Sequence, residues 1–224
     1  YDTAVLRGGS YAGRGGDDAY GIVNYGSRAN LEAHSVTAEA FDIIGTAQYA
    51  YGLISESGAS ATLYGGRFTG QGGDGAAGIV TTGSGSTLEA HGVTAQGQDG
   101  AVLALGLNNS SGCSTVLDGG SFTGVGGFNA YGISNQFGGS LLEARGIVAQ
   151  GKDGSNWNYG LHQGSADWAV VWHSVLRGAT NSVINNGAGN VTLSHVQLHD
   201  GPISGDVDCV AVSSGWVFSP DSCP

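Results

Sequence analysis

The chain has 224 residues, 43 of them glycine, three proline and none methionine, and 18 acidic against 7 basic side chains give a net charge of -11. That charge repels a phosphate backbone and no basic stripe offsets it, which excludes nucleic acid as a partner. No run of about 18 apolar residues offers a membrane span, and the glycines lack the every-third spacing of collagen.

Taken in order, the opening residues YDTAVLRGG have neither the basic start nor the apolar stretch of a signal peptide, which reads as a mature or excised fragment. From Leu6 a unit begins, LRGGSYAGRGGDDAYGIVNYGSRANLEAHSVTA, that returns in imperfect form from Leu63 and from Leu117, after 57 and 54 residues. Repeated units that cannot bury an apolar face alone do so by stacking. Each copy divides again, because LxGGxF is followed 25 residues later by LEAHxV or LEARxI. The half-units start at Leu6, Leu31, Leu63, Leu88, Leu117, Leu142, Val171 and Leu193, which predicts eight turns of a coil.

In each half-unit, counting the starting residue as 1, positions 1, 3 and 6 are expected to face inward. Position 3 holds Gly8, Ala33, Gly65, Ala90, Gly119 and Ala144, and position 6 holds Tyr11, Val36, Phe68, Val93, Phe122 and Ile147, so small and large residues alternate. A second short strand in each coil is marked by Tyr20-Gly21-Ile22, Tyr51-Gly52-Leu53, Ala77-Gly78-Ile79, Leu105-Gly106-Leu107, Tyr131-Gly132-Ile133 and Tyr159-Gly160-Leu161. Between strands lie glycine- and asparagine-rich stretches suited to the positive φ of tight corners. No segment sustains a 3.6-residue apolar period, which excludes a helix bundle.

This pattern resembles the right-handed parallel β-helix of the pectin-lyase-like superfamily, and the ending VTLSHVQLHDGPISGDVDCVAVSSGWVFSPDSC resembles that of uncharacterised bacterial β-helix repeat proteins. The expectation is an all-β, right-handed parallel β-helix over residues 1–200 and a C-terminal cap over 201–224 with Pro202, Trp216 and Phe218. Cys209 and Cys223 lie together in that cap while Cys113 stands alone in a turn, so a Cys209–Cys223 disulfide is expected, and with it an oxidising compartment, secreted or cell-surface. Three buried thiols in a reducing compartment are the alternative. The N-terminal end starts without a cap, so upstream coils or a second copy stacked head to head are expected against that edge.

Stacked coils turn the alignment into a surface map, with rungs about 4.8 Å apart. Position 2 would run Arg7, Glu32, Tyr64, Glu89, Asp118, Glu143, Trp172 and Ser194, with His34, His91 and Arg145 beside it at position 4. Glu89, Asp118 and Glu143 on adjacent coils, flanked by His91 and Arg145, are the candidate catalytic set. Carboxyls about 5 Å apart suit a retaining glycosidase, whereas a β-eliminating lyase would want Ca2+ on the carboxylates and Arg145 or His91 as base. Duplication alone also accounts for Glu32, Glu89 and Glu143, and the pectinase motifs Asn-Thr-Asp, Gly-His-Gly and Arg-Ile-Lys are missing. Tyr64 and Trp172, at the ends of the row, are candidates for stacking on a glycan. Thr37, Thr69, Thr94 and Thr123 at position 7 would form one hydroxyl rank, the feature that suggests an ice-binding solenoid. His173 and His195 are expected inside the core, and no metal site is assigned. The leading expectation is a non-enzymatic adhesive, structural or glycan-binding solenoid; a polysaccharide hydrolase or lyase is the rival.

Overall fold

A computed structural model describes residues 2–42, 45, 47–164, 167–214, 217–219 and 222–224. Trp216, assigned to the cap from sequence, lies outside them. The chain forms an all-β parallel solenoid. One coil shows the plan: a first leg, Ser60–Tyr64, a second leg, Arg67–Gln71, and a third, Gly75–Thr82. First and second legs of successive coils build one long sheet, and the third legs build a separate eight-stranded sheet. Six coils carry a third leg of seven or eight residues, from Asp18–Tyr25 to Trp157–Gln163. The next two shrink to Asn181–Asn185 and Ile203–Ser204, so the eight expected turns resolve into six full ones and a tapering end.

Parallel pairing continues past residue 200, through Val207–Val210 and Val212–Ser214, before Val217–Ser219 folds back antiparallel on the latter. Cys209 and Cys223 are disulfide-bonded there, as the spacing predicts. At the other end Leu6, Tyr11 and Ile22 are only half-buried against the core.

Positions 1 and 6 face inward as expected, but the register differs from the sequence alignment. Leu63 pairs with Ala33 and Ala90, not with Leu31 and Leu88. The slip is two residues. Because strand side chains alternate with period 2, such a slip keeps every inward residue inward while changing its neighbours. It also relieves crowding at the axis. The buried columns run Ala33, Leu63, Ala90, Leu117, Ala144, Val171 and Ala38, Phe68, Ala95, Phe122, Ala149, Leu176, so Leu63, Leu117, Phe68 and Phe122 each sit between alanines, and only at the tapering end does large meet large, Val171 on Leu193 and Leu176 on Leu198.

Position 3 is where the sequence assignment fails. Gly8, Gly65 and Gly119 do not face inward; they share a corner column with Ser35, Gly92, Gly146, His173, His195 and Ala211, all at positive φ. There the chain turns from first to second leg, and glycine meets that conformation without steric cost. His173 and His195 follow the corner, so they are exposed rather than core residues, with rings stacked at 5.0 Å.

Turn chemistry accounts for only part of the glycine. Gly70, Gly97, Gly124, Gly151 and Gly178 on second legs lie against the backbone of the third legs, and Gly52, Gly78, Gly106, Gly132 and Gly160 on third legs lie against the backbone of the second, at one corner of each coil. A Cβ on Gly124 would overlap the carbonyl oxygens of Ala104 and Tyr131, and one on Gly106 the backbone nitrogen of Thr123. The two sheets meet backbone to backbone, which only the smallest residues permit. The opposite corner is wide and polar inside. There Asn109 Nδ2 donates to Asn135 Oδ1 (2.7 Å) and to the Leu141 carbonyl (2.8 Å), and Asn135 Nδ2 donates to Gln163 Oε1 (2.9 Å). This ladder pairs the buried side-chain amides with one another and with the carbonyl that opens a first leg, Leu141.

Candidate functional site

The two-residue slip redraws the outer face of the first legs. One row reads His34, Tyr64, His91, Asp118, Arg145, Trp172, Ser194, and its neighbour Glu32, Thr62, Glu89, Val116, Glu143, Val170, Thr192. The expected carboxylates do lie on adjacent rungs, but not in a single row. Glu89 and Glu143 are two rungs apart with Val116 between them, roughly 9.6 Å by strand spacing, and Asp118 lies on the other row. A retaining pair requires carboxyls about 5 Å apart, which this placement does not supply for Glu89 and Glu143. Among the described residues no three His, Cys, Asp or Glu side chains are placed to hold a metal ion, so the calcium expectation gains no ligand set.

The slip brings other residues together instead. Tyr64 lies between two imidazoles, 4.8 Å from the His34 ring and 5.2 Å from His91, nearly parallel to both. Each histidine is held by the glutamate two residues earlier on its strand: His34 Nε2 lies 2.6 Å from Glu32 Oε1, and His91 Nε2 lies 2.9 Å from Glu89 Oε1. Asp118 Oδ2 stands 3.8 Å from His91 Nδ1. Glu89, His91 and Asp118 thus form one chain of neighbouring polar groups across two rungs of the sheet. Arg145 lies on the same row between Asp118 and Trp172, with Glu143 two residues earlier on its own strand.

Two coils beyond Asp118, the strand Trp168–Trp172 places Trp168, Val170 and Trp172 on the outer face. At about 3.3 Å per residue the two indoles are about 13 Å apart along the strand. Trp168 is 54% exposed, and the exposed Leu141 is its direct neighbour on the preceding rung. Trp172 borders a shallow depression with Arg145 and His173. The sequence singles out Trp172 but misses Trp168, although WAVVW carries the signal: its aromatic residues fall at i and i+4, the same side of a strand.

The expected threonine rank divides. Thr37 and Thr94 share a row with Arg67 and Ser121, while Thr69 and Thr123 share the next with Glu39 and Gln96. Large charged and amide side chains interrupt both, leaving no flat hydroxyl surface. On the outside of the third legs Tyr131 and Tyr159 stack at 4.9 Å, and His162 lies 5.1 Å from the Tyr131 ring. Burial there pushes the His162 imidazole down to about 4. It is neutral near pH 7, with Ser134 Oγ 3.2 Å from Nδ1 and Asn186 Nδ2 3.3 Å from Nε2.

No protein-family model matches the chain, and neither the curated proteins nor the solved structures include a match.

Proposed function

We propose that this chain is a non-enzymatic, secreted or cell-surface β-solenoid of pectin-lyase-like architecture that binds polysaccharide on the outer face of its first legs. The observation that carries the reading is the pair of indoles, Trp168 and Trp172, aligned on one strand and turned to solvent with Val170 between them. Exposed aromatic surface on a rigid sheet favours a partner with a flat apolar face. A sugar ring has such a face and a rim of hydroxyls. Glu143, Arg145, Asn190, Thr192 and Ser194, on the rungs to either side of that strand, supply donors and acceptors for the rim. Tyr64 stands on the same row as Trp172, four rungs or about 19 Å along the axis, where a chain running across the coils would reach it. A disulfide-bonded end agrees with an oxidising, extracellular setting.

Affinity gels and co-sedimentation with cellulose, chitin and mannan test the reading. Trp168→Ala and Trp172→Ala should each weaken binding about tenfold, the cost of removing a central aromatic contact, and Tyr64→Ala should do so less. Undiminished binding by the Trp168→Ala/Trp172→Ala protein would sink the proposal. So would release of reducing or unsaturated sugar ends that a Glu89→Gln change abolishes, since that outcome is catalysis.

A further inference from the structure

The outer face of the third legs carries two columns of side chains, and one coil breaks both. By register, the first column runs Tyr49, Gly75, Leu103 and the second Tyr51, Ala77, Leu105. Where its neighbours on both sides carry tyrosine or leucine, the strand Gly75–Thr82 offers a hydrogen and a methyl. The result is a recess of about 370 Å³. Its walls are Tyr49 and Tyr51 on one side and Leu103 and Leu105 on the other, with Asp74 and Asn108 also on its lining. A Cβ built on Gly75 would lie 3.2 Å from the Tyr49 ring, so this tyrosine leans over the floor.

Three features fix what such a recess accepts. The walls are apolar and aromatic, so the body of the ligand is apolar. The carboxylate of Asp74 is an acceptor only, and the Oδ1 of Asn108 is buried without a hydrogen-bond partner among the described residues, a second unmet acceptor. The rim is electronegative: the Tyr49 and Tyr51 rings lie 5.4 Å apart, and Asp18 on the preceding coil and Glu56 at the end of the same strand act on Tyr51. Tyrosine faces and carboxylates together attract a cation. A net charge of -11 adds a long-range pull of the same sign.

We infer that the recess between Tyr49, Tyr51, Leu103 and Leu105 binds an organic ammonium ion, an alkyl- or arylammonium whose apolar body fills the gap over Gly75 and Ala77 and whose charged head meets Asp74. The site is on a different sheet from the Trp168–Trp172 platform and is independent of it.

The test is a calorimetric and NMR titration of the intact chain with phenethylammonium chloride, with 2-phenylethanol as the neutral isostere. Saturable binding of the ammonium ion is expected, at least tenfold tighter than the alcohol, the factor expected for a charge-assisted hydrogen bond, and weakening as salt rises. Asp74→Asn should remove that advantage. Tyr49→Ala, at a half-exposed wall, should weaken the ammonium ion about two- to fivefold, and Gly75→Val should block the recess. Trp168→Ala should leave the titration unchanged. Equal affinity for the two probes, no saturation by about 10 mM, or binding unaltered in both Asp74→Asn and Tyr49→Ala would overturn the inference, and the surface variant Tyr49→Ala keeps the test decisive if Gly75→Val does not fold.

Discussion

Replacing Phe68 with alanine removes a fully buried ring from a column in which the side chains directly above and below, Ala38 and Ala95, are single methyls. Neither can reach into the space, so the cavity stays open, and the cost belongs in the upper half of the range of about 3–5 kcal/mol for a buried phenylalanine. At roughly 2–4 °C per kcal/mol for a chain of this length, the melting temperature should fall by about 8–20 °C. The same column predicts the rescue. Ala95→Leu, placed next to the cavity, should recover about 1–2 kcal/mol in the double variant, a coupling expected only between residues in contact. Val93→Leu should not, although aligning the repeats by sequence would put Val93 beside Phe68. Urea unfolding followed by circular dichroism measures all four proteins with one signal. A loss below about 1 kcal/mol, or rescue by Val93→Leu in place of Ala95→Leu, would refute both the core assignment and the two-residue slip.

The other expectations concern single groups. Reducing the Cys209–Cys223 disulfide opens a loop of about 15 residues and should lower stability by about 3 kcal/mol, read as a shifted urea midpoint with and without reductant. Cys113, whose Sγ lies 2.9 Å from the Ser110 carbonyl, is buried, which pushes its thiol up to about 11. It should stay unmodified by a thiol reagent at pH 8 until the chain is unfolded; rapid native labelling would contradict its placement. His162 titrates lower in the folded chain than in the unfolded one, so the unfolded state takes up the proton first. Its contribution is complete above about pH 6.5 and is lost as pH falls toward 4, about 3 kcal/mol at most. The difference between the parent and His162→Gln in stability against pH isolates it, and parallel curves would remove the effect.

The solenoid was legible because its evidence is periodic. Inward leucines, the Tyr-Gly-Ile and Ala-Gly-Ile strands and the spacing of Cys209 and Cys223 all survive an error in alignment, since parity along a strand depends only on odd and even positions. Register was not legible, for the same reason. The LEAH and LxGG halves share a leucine, and the alignment that superposes Leu31, Leu63 and Leu88 is the most economical one in sequence. Packing rejects it, because leucine on leucine at every rung overfills the axis that Ala33, Leu63 and Ala90 fill evenly. Every surface row inherits that error. Asp118 left the row of Glu89 and Glu143 for that of His91 and Arg145, and Tyr64 joined His34 and His91. The glycine columns escaped notice because the close approach of two backbones leaves no mark in one strand's own composition.

Duplication also decides where a binding site can be recognised. Side chains repeated in every second coil, such as Glu32, Glu89 and Glu143, are accounted for by copying, and the structure gives Glu32 and Glu89 the same place beside His34 and His91. The informative positions are those where a column departs from its neighbours. Trp168 follows Ser114 and Leu141 in one column, and Trp172 follows Asp118 and Arg145 in another, so a single coil gains two indoles at once. Gly75 and Ala77 interrupt Tyr49, Tyr51, Leu103 and Leu105 in the same way, so a single coil loses two side chains at once. A scaffold whose core demands only alternating small and large residues leaves its outward positions free to vary coil by coil. Paired departures on one strand are then what a ligand requires, because one altered residue changes a surface while two on the same face, a fixed distance apart, define a shape.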